Sequence, residues 1–584
     1  MMRRFARLVP AVLLLLVCPA WCGAAPQRPA LVVVVSIDQF PYEYLQRMRA
    51  NFAADGMFNR FRDAGATMIN CHHAHAFTVT APGHSVLLTG AFPNVNGIIG
   101  NDWFDREQGR TVYCVEDPRY PLVGNPLEDA EPSGDAKTAK KPKKGAKSGK
   151  AAGVSPRPLL AGTLGDVLKL SDPRSKVFGI ALKDRAGVLM AGQLADGVYW
   201  FDAKTGNWIT STYYRSELPG YLRTFNESDA TEAFVGRKWE LLVPSDRYVN
   251  YYEQVKLPDI AALNNRFPHA MPDKADSKYY QSITVSPFGS ELTLQAARLL
   301  ISYEKLGQDD SPDILAINLS SNDYVGHAHG PQSLEVQDIT IRTDRLLAEF
   351  ADFVDQQLAG RAWVLALSSD HGVAPVPEYA AALGLPAARN PLGSLTALRD
   401  KLEAQLRAEF GSPKGDNRYV LELDENSVYL NHQLAELAGD RLLSAQRTVR
   451  DALVQLPPVA MVFTREELLA QDAASKSLAR AFERSFFAAR SGDVLYALQP
   501  YNISGGSLAT HGSPWQYDTH VPLLFWGFGI RPGRYSEPVA PAAMAPTLAR
   551  LLQIEAPSSA AVEAIEEVLA PPPAPATVAP VPQT

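Results

Sequence analysis

Four short segments hold carboxylates and imidazoles in an arrangement suited to metal binding. Asp38 closes the β-branched run LVVVVSI; Asp323 and His327 lie four apart in NDYVGHAHG. Asp370 and His371 are adjacent in SSDHGV, and His511 lies in ATHGSP. Three carboxylates and three imidazoles suffice for two divalent ions, and a set without thiolate suits zinc. A fifth segment, AFTVTAPGHSVLLTG, places Thr80 just before Pro82, a residue favoured in the first turn of a helix. Thr80 would then sit at the positive end of a helix dipole, where anions bind. A hydroxyl is a poor nucleophile until a base or metal activates it, and metal coordination would do so here. The alternative for Thr80 is a plain helix cap. His72, His73, His75 and His84 crowd the same region and read as structural or surface groups; His329 and His520 are left without a role.

These residues need a scaffold that brings distant segments together. Leu31–Ile37, Lys176–Leu182, Asp313–Leu319, Trp363–Ser368 and Val521–Trp526 read as buried strands, with the chemical residues just past their ends. Helical patterns fall between them at Leu292–Lys305, Ser333–Leu358 and Ala543–Leu552. Alternation of this kind implies an α/β fold with a mostly parallel sheet sandwiched by helices, whose sites form beyond the carboxyl ends of the strands. Dense aromatics and a hairpin signal at Thr205-Gly206 mark 190–288 as a cap insertion over those ends; 397–498 reads as a second α/β insertion.

The ends and one internal stretch read differently. Residues 1–24 combine Arg3, Arg4 and Arg7 with an apolar run, Leu8 to Cys18, and small residues at Gly23 and Ala24. The run is short for a bilayer span, so the expectation is a secretory signal peptide, with a retained anchor as the alternative. Residues 25–555 form the body. Residues 131–156 are lysine-rich and low in complexity, expected to be disordered, and 556–584 an Ala/Pro-rich flexible tail. The 584 residues carry 46% hydrophobic and 20% charged side chains, enough for a large core. The formal net charge is −7, and losing the three leader arginines makes it −10, which excludes a generic nucleic-acid binder. No later segment reads as membrane-spanning. Past the leader only Cys71 and Cys114 remain. Export permits a disulfide, which would close a loop of about 43 residues worth about 4 kcal/mol; two free buried thiols are the alternative.

Together VVSIDQF, TVTAPGHS, GIIGNDW, LKDRAG, SSNDYVGHAHG, SSDHG and THGSPWQYDTHVPLLFWG resemble the alkaline phosphatase superfamily. More narrowly they resemble its threonine-nucleophile branch, which holds nucleotide pyrophosphatase/phosphodiesterases and secreted PafA-like alkaline phosphatases, and the latter are more similar. The resemblance spans roughly Leu31 to Leu552 and implies two Zn²⁺ per chain. Asp38, Asp370, His371 and the Thr80 alkoxide would hold one ion; Asp323, His327 and His511 would hold the other. Asn101 resembles the donor to a phosphate oxygen, and Lys183 and Arg185 the basic pair of monoesterases. The implied enzyme is an exported, monomeric phosphatase, periplasmic or extracellular, that acts on small phosphate monoesters through a phosphothreonine intermediate. A phosphodiesterase or nucleotide pyrophosphatase with the same metals is the runner-up. A sulfatase would need a Cys or Ser nucleophile, and a metal- or phosphate-binding protein would not need Thr80.

Overall fold

The computed structural model describes residues 28–124, 153–258, 267–471 and 477–571. The expected leader and nearly all of the lysine-rich insertion lie outside them. Its last residues do not: Gly153–Val154 form a buried strand paired with Glu116–Val123.

Five parallel strands form the centre of an eleven-stranded sheet, in the order Trp363–Ser368, Leu31–Ile37, Asp313–Leu319, Val177–Ala181 and Gly197–Asp202. Antiparallel strands extend both edges, beginning with Leu523–Gly527 on one side and Asn207–Ser211 on the other. The central strand shows why β-branched residues recur. Val33, Val35 and Ile37 enter one core while Val32 and Val34 enter a second core on the opposite face. Each face is covered by helices. Pro287–Glu304 and Leu334–Leu358 cover the first; Thr80–Thr89, Leu164–Ser171 and Met544–Leu552 cover the second. Each fully buried valine contributes about 1.5 kcal/mol or more. Pairing runs without offset from Leu31↔Asp313 to Ile37↔Leu319 and from Leu31↔Trp363 to Ser36↔Ser368. Continued past the strand ends, that register lines up Asp38, Ser320 and Asp370 at one edge of the sheet.

Three expectations are corrected. Gly197–Asp202 and Asn207–Ser211 form the hairpin through Gly206, which has φ of +79°, but they are strands of the main sheet. An insertion cannot therefore begin at 190. Further along, Leu222, Phe234, Trp239 and Tyr279 join the first core rather than a separate cap. The aromatics signalled burial, and the sheet face supplies it. Nor does a flexible tail begin at 556: Ile565 and Val568 are buried in the second core, and the Ala561 amide donates to Gly90 at 2.8 Å. Two apolar residues three apart fill a groove that an Ala/Pro composition hides.

Finally, Cys71 and Cys114 are free buried thiols, one in the second core and the other in a cluster around Trp103 and Val198. Burial pushes both thiol pKa values well up, so neither is a reactive thiolate. Reductant should leave the melting temperature unchanged in a thermal scan. A fall of several degrees would mean that a bond worth about 4 kcal/mol had been present.

The second α/β segment has its own small core. Val420–Leu423, Ser427–Leu430, Val494–Leu498 and Val459–Thr464 make a four-stranded sheet, backed by Leu395–Phe410 and Asp440–Val454.

Candidate active site

At the shared sheet edge the chemical residues meet. Asp38 follows one central strand and Asp370 the next. Asp323 and His327 sit in the helix Ser321–His329, which begins directly after a third. His371 Nε2 is 3.1 Å from Asp370 Oδ2 and 3.6 Å from Asp38 Oδ1. His327 Nε2 and His511 Nε2 are 3.2 and 3.5 Å from Asp323 Oδ1. The His371 and His511 rings stack with centroids 3.4 Å apart, which joins the two groups. The helix Thr80–Thr89 lies over this edge so closely that a Cβ on Gly83 would collide with the Asp370 carbonyl oxygen. Only glycine permits that approach.

The donor set fits a divalent metal on an observation independent of residue type. His327, His371 and His511 each direct Nδ1 at a backbone carbonyl, of Ala509, Gly372 and Thr78, at 2.8–2.9 Å. Nδ1–H donation fixes the tautomer and turns every Nε2 lone pair toward a carboxylate, as metal-ligating histidines require. Acceptor then faces acceptor, and Asp38 Oδ1, Asp370 Oδ2 and His371 Nε2 are buried without a hydrogen-bond partner. Positive charge is needed between them. Protons alone meet this need at His371, where burial opposes the charge but Asp370 overcomes it and raises the pKa to about 9. They do not meet it everywhere. Burial, then the Asp370 charge, lifts Asp38 to about 6, while burial and His371 push His511 down to about 3. Burial also acts to raise Asp323 and Asp370, yet His327 and Lys183, and His371 and His84, hold these carboxyls well below the usual range.

Thr80 is the first residue of its helix, not the cap; Val79 occupies that position, with no side-chain cap. Nothing structural therefore claims the Thr80 hydroxyl in the capping sense. Arg185 Nη2 lies 3.4 Å from Thr80 Oγ1. Asn101 accepts the Ala81 amide on Oδ1 at 2.8 Å, which orients its side chain and leaves Nδ2 as a donor. Tyr113 and Asp184 hold the Arg185 end: Tyr113 donates to Asp184 at 2.5 Å and lies 3.4 Å from Arg185 Nη1. Lys183 and Arg185 do not alternate along a strand, because the strand ends at Ala181 and Lys183 caps the helix Asp184–Ala191. The helix start still turns both inward. Lys183 Nζ bonds Asp38 at 3.0 Å and Asp323 at 2.5 Å, one carboxylate from each group, so its charge is shared between those carboxylates rather than held open.

Comparison with known proteins follows from this geometry. The family model described as "Type I phosphodiesterase / nucleotide pyrophosphatase" matches residues 32–385. The chain belongs to that family. Alkaline phosphatase PafA of Elizabethkingia meningoseptica is 33% identical over 93% of this chain and 95% of its own. A Myroides odoratus protein named calcium-transporting ATPase is equally similar, 33% identical over 93% of this chain and 95% of its own. A crystal structure of wild-type PafA superposes with a TM-score of 0.80 at 32% identity, covering 94% of this chain and all of that one.

Two residues of this type I phosphodiesterase-family site, Gln39 and Asn322, escaped sequence reasoning, while a third, His84, bears out its reading as a structural group. His84 donates from Nδ1 to the Thr80 carbonyl at 2.8 Å and lies 3.2 Å from Asp370 Oδ2; its Nε2 accepts from Asn318 at 2.8 Å. Among the described residues, proximity groups His84 with Asp38 and Asp370, and His371 with Asp323 and His511. Both His84 nitrogens are committed, so it orients the aspartate instead of offering a lone pair. Gln39 adopts φ of +58°, donates from its backbone to Asp370 at 3.1 Å and from its side chain to Asp323 at 2.8 Å. That strained conformation next to Asp38 marks the site. Asn322 ties the segment to the carbonyls of Asp38 and Gln39. The only local signal for these was adjacency to the motif residues.

Proposed function

We propose that this chain is an exported, monomeric alkaline phosphatase that hydrolyses small phosphate monoesters, with Thr80 as the nucleophile and two Zn²⁺ ions as cofactors. The observation that carries it is the Thr80 hydroxyl at a helix start, beside a guanidinium and next to a buried carboxylate–imidazole cluster whose three carboxylates have a single lysine among them and whose Asp38 Oδ1 and Asp370 Oδ2 have no hydrogen-bond partner. Asp38, Asp370, His371 and Thr80 would hold one ion and Asp323, His327 and His511 the other. Bound there, the ions supply Lewis-acid charge to the attacking and leaving oxygens of an in-line displacement. The remaining work belongs to the chain. The Thr80 hydroxyl gives its proton to solvent, Oγ1 attacks phosphorus as the alkoxide and the P–O bond to the alcohol breaks, the expelled oxygen taking one proton back from solvent. The phosphothreonine so formed is cleaved by a second water, which restores Thr80 and releases phosphate. Asn101 Nδ2 and the Arg185 guanidinium hold the non-bridging oxygens throughout. Gln39, His84 and Lys183 keep the carboxylates in place.

A monoester dianion has one more charged oxygen than a diester, and a fixed guanidinium next to the nucleophile rewards it. The wild type should therefore prefer phenyl phosphate to its methyl diester. Arg185→Ala should lower monoester kcat/KM about 100-fold and diester kcat/KM less than tenfold, the scale expected for one oxyanion donor. Arg185 is the cleaner test than Lys183, whose removal would also disturb Asp38 and Asp323. Equal losses on both substrates would refute the role of Arg185. A wild-type preference for the diester would favour a phosphodiesterase.

A further inference from the structure

One segment of the site has no regular structure to hold it. Asp38 and Asp370 follow central strands, and Asp323 and His327 belong to a helix. His511 instead lies in the irregular stretch 504–515, between the strand Asn502–Ile503 and the helix Gln516–Thr519. Gly505 and Gly506 there are exposed, and Gly505 has φ of +99°. Yet this stretch serves two imidazoles. It carries His511, whose Nε2 is 3.5 Å from Asp323 Oδ1, and its Ala509 carbonyl accepts Nδ1 of His327 at 2.8 Å. Groups that share an ion must be held to within about 0.5 Å.

Arg389 supplies a grip on this stretch from outside the site. Residues 381–386 before it are exposed, but its own side chain is only 13% exposed. Its Nη1 donates to the Ser507 carbonyl at 2.6 Å and its Nη2 to the Leu508 carbonyl at 2.8 Å. Nε and Nη2 also donate to the two oxygens of Glu378, at 3.0 and 2.8 Å. Glu378 is in the first turn of the helix Pro377–Ala382, which follows the Asp370-His371 segment. One guanidinium thus joins the chain leaving Asp370 and His371 to the stretch that bears His511. Other bonds act further along: the Leu508 amide donates to the His327 carbonyl at 3.0 Å, and the Ala374 amide to the Thr510 carbonyl at 3.1 Å. Arg389 takes the two carbonyls nearest the exposed glycines, and its planar fork fixes direction as well as distance.

We propose that Arg389 is a positioning residue for the ion expected at Asp323, His327 and His511, with Glu378 as its anchor. The inference rests on the two-ion reading above. Arg389 touches neither ion nor substrate. It acts through the 507–511 backbone, which sets where His511 stands and which carbonyl orients His327. The ion expected at Asp38, Asp370, His371 and Thr80 draws no residue from that stretch, so it should be indifferent to Arg389.

The test reads zinc affinity rather than turnover. Protein stripped by a chelator is titrated with zinc in competition with a chromophoric chelator, which gives a dissociation constant for each ion. His511→Ala identifies the constant that belongs to the His511 ion. Arg389→Met should weaken that ion about tenfold, the lower end of the range for groups that orient metal ligands, and leave the other within about twofold. In the His511→Ala background the same replacement should leave the remaining ion unchanged. Arg389→Lys should weaken the His511 ion about threefold, because a point charge can meet one carbonyl but not the whole fork. Arg389→Lys decides the matter if Arg389→Met fails to fold. Equal weakening of both ions, or of neither, in the folded variants would overturn the inference while leaving the two-ion reading intact. A wild type that takes up fewer than two ions would overturn that reading and the inference with it.

Discussion

Thr80→Ala should lower turnover of an aryl phosphate by about 10⁴-fold or more while leaving the fold intact. The size follows from removing the attacking atom of a two-step displacement, which leaves only electrostatic stabilisation and binding. Stability should hardly change, because Thr80 is at the first helical position and makes no side-chain cap. The helix is held by burial along its length and by the close approach at Gly83. Thr80→Ser should keep partial activity, since it retains a hydroxyl without the methyl group that fixes the rotamer. Steady-state kinetics with matched thermal scans check this. An Ala variant within tenfold of wild type would exclude covalent catalysis through Thr80.

Chelation should have an effect of comparable size. Dialysis against a chelator should reduce activity more than 10³-fold, and zinc should restore it, with elemental analysis giving about two ions per chain. Stability should move in the same direction. An ion that binds only the folded state stabilises it by mass action, so the loaded protein should melt several degrees above the stripped one. The reason is in the cluster itself: three carboxylates and three Nε2 lone pairs converge with a single lysine among them. His511→Ala should lower metal occupancy to about one ion and cost about 10³-fold in turnover. Full activity in protein with no bound metal would remove the basis for the two-ion site.

Much of this site could be read along the chain because each motif follows a strand that is itself recognisable. LVVVVSI is apolar on both faces, which only a buried parallel strand tolerates, and its terminal Asp38 must then emerge at the carboxyl edge. The same reasoning placed Asp323 and Asp370. Segments with weaker local patterns were harder. The hairpin at Gly206 was legible as a turn, but its membership in the main sheet depends on the pairing of Gly197–Asp202 with Val177–Ala181, a contact between strands whose local patterns do not name their partner. The end of the chain looked flexible because Ala and Pro dominate it; Ile565 and Val568 acquire meaning only beside Leu548 and Leu552.

Residue types and their spacing thus determined the α/β class, the edge at which the site forms and the identity of its chemical groups. Tertiary structure alone decided their working state. His84 became an orienting donor because Asn318 and the Thr80 carbonyl occupy its two nitrogens, and Lys183 moved between two carboxylates because the strand ends at Ala181. Cys71 and Cys114 stayed apart because they enter different cores. Patterning and turn chemistry act over a few residues and are written locally. Tautomer, ion pairing and thiol state depend on which atoms lie within about 3–4 Å, and the deciding neighbours, Asn318 for His84 and Asp38 and Asp323 for Lys183, are 234, 145 and 140 residues away along the chain.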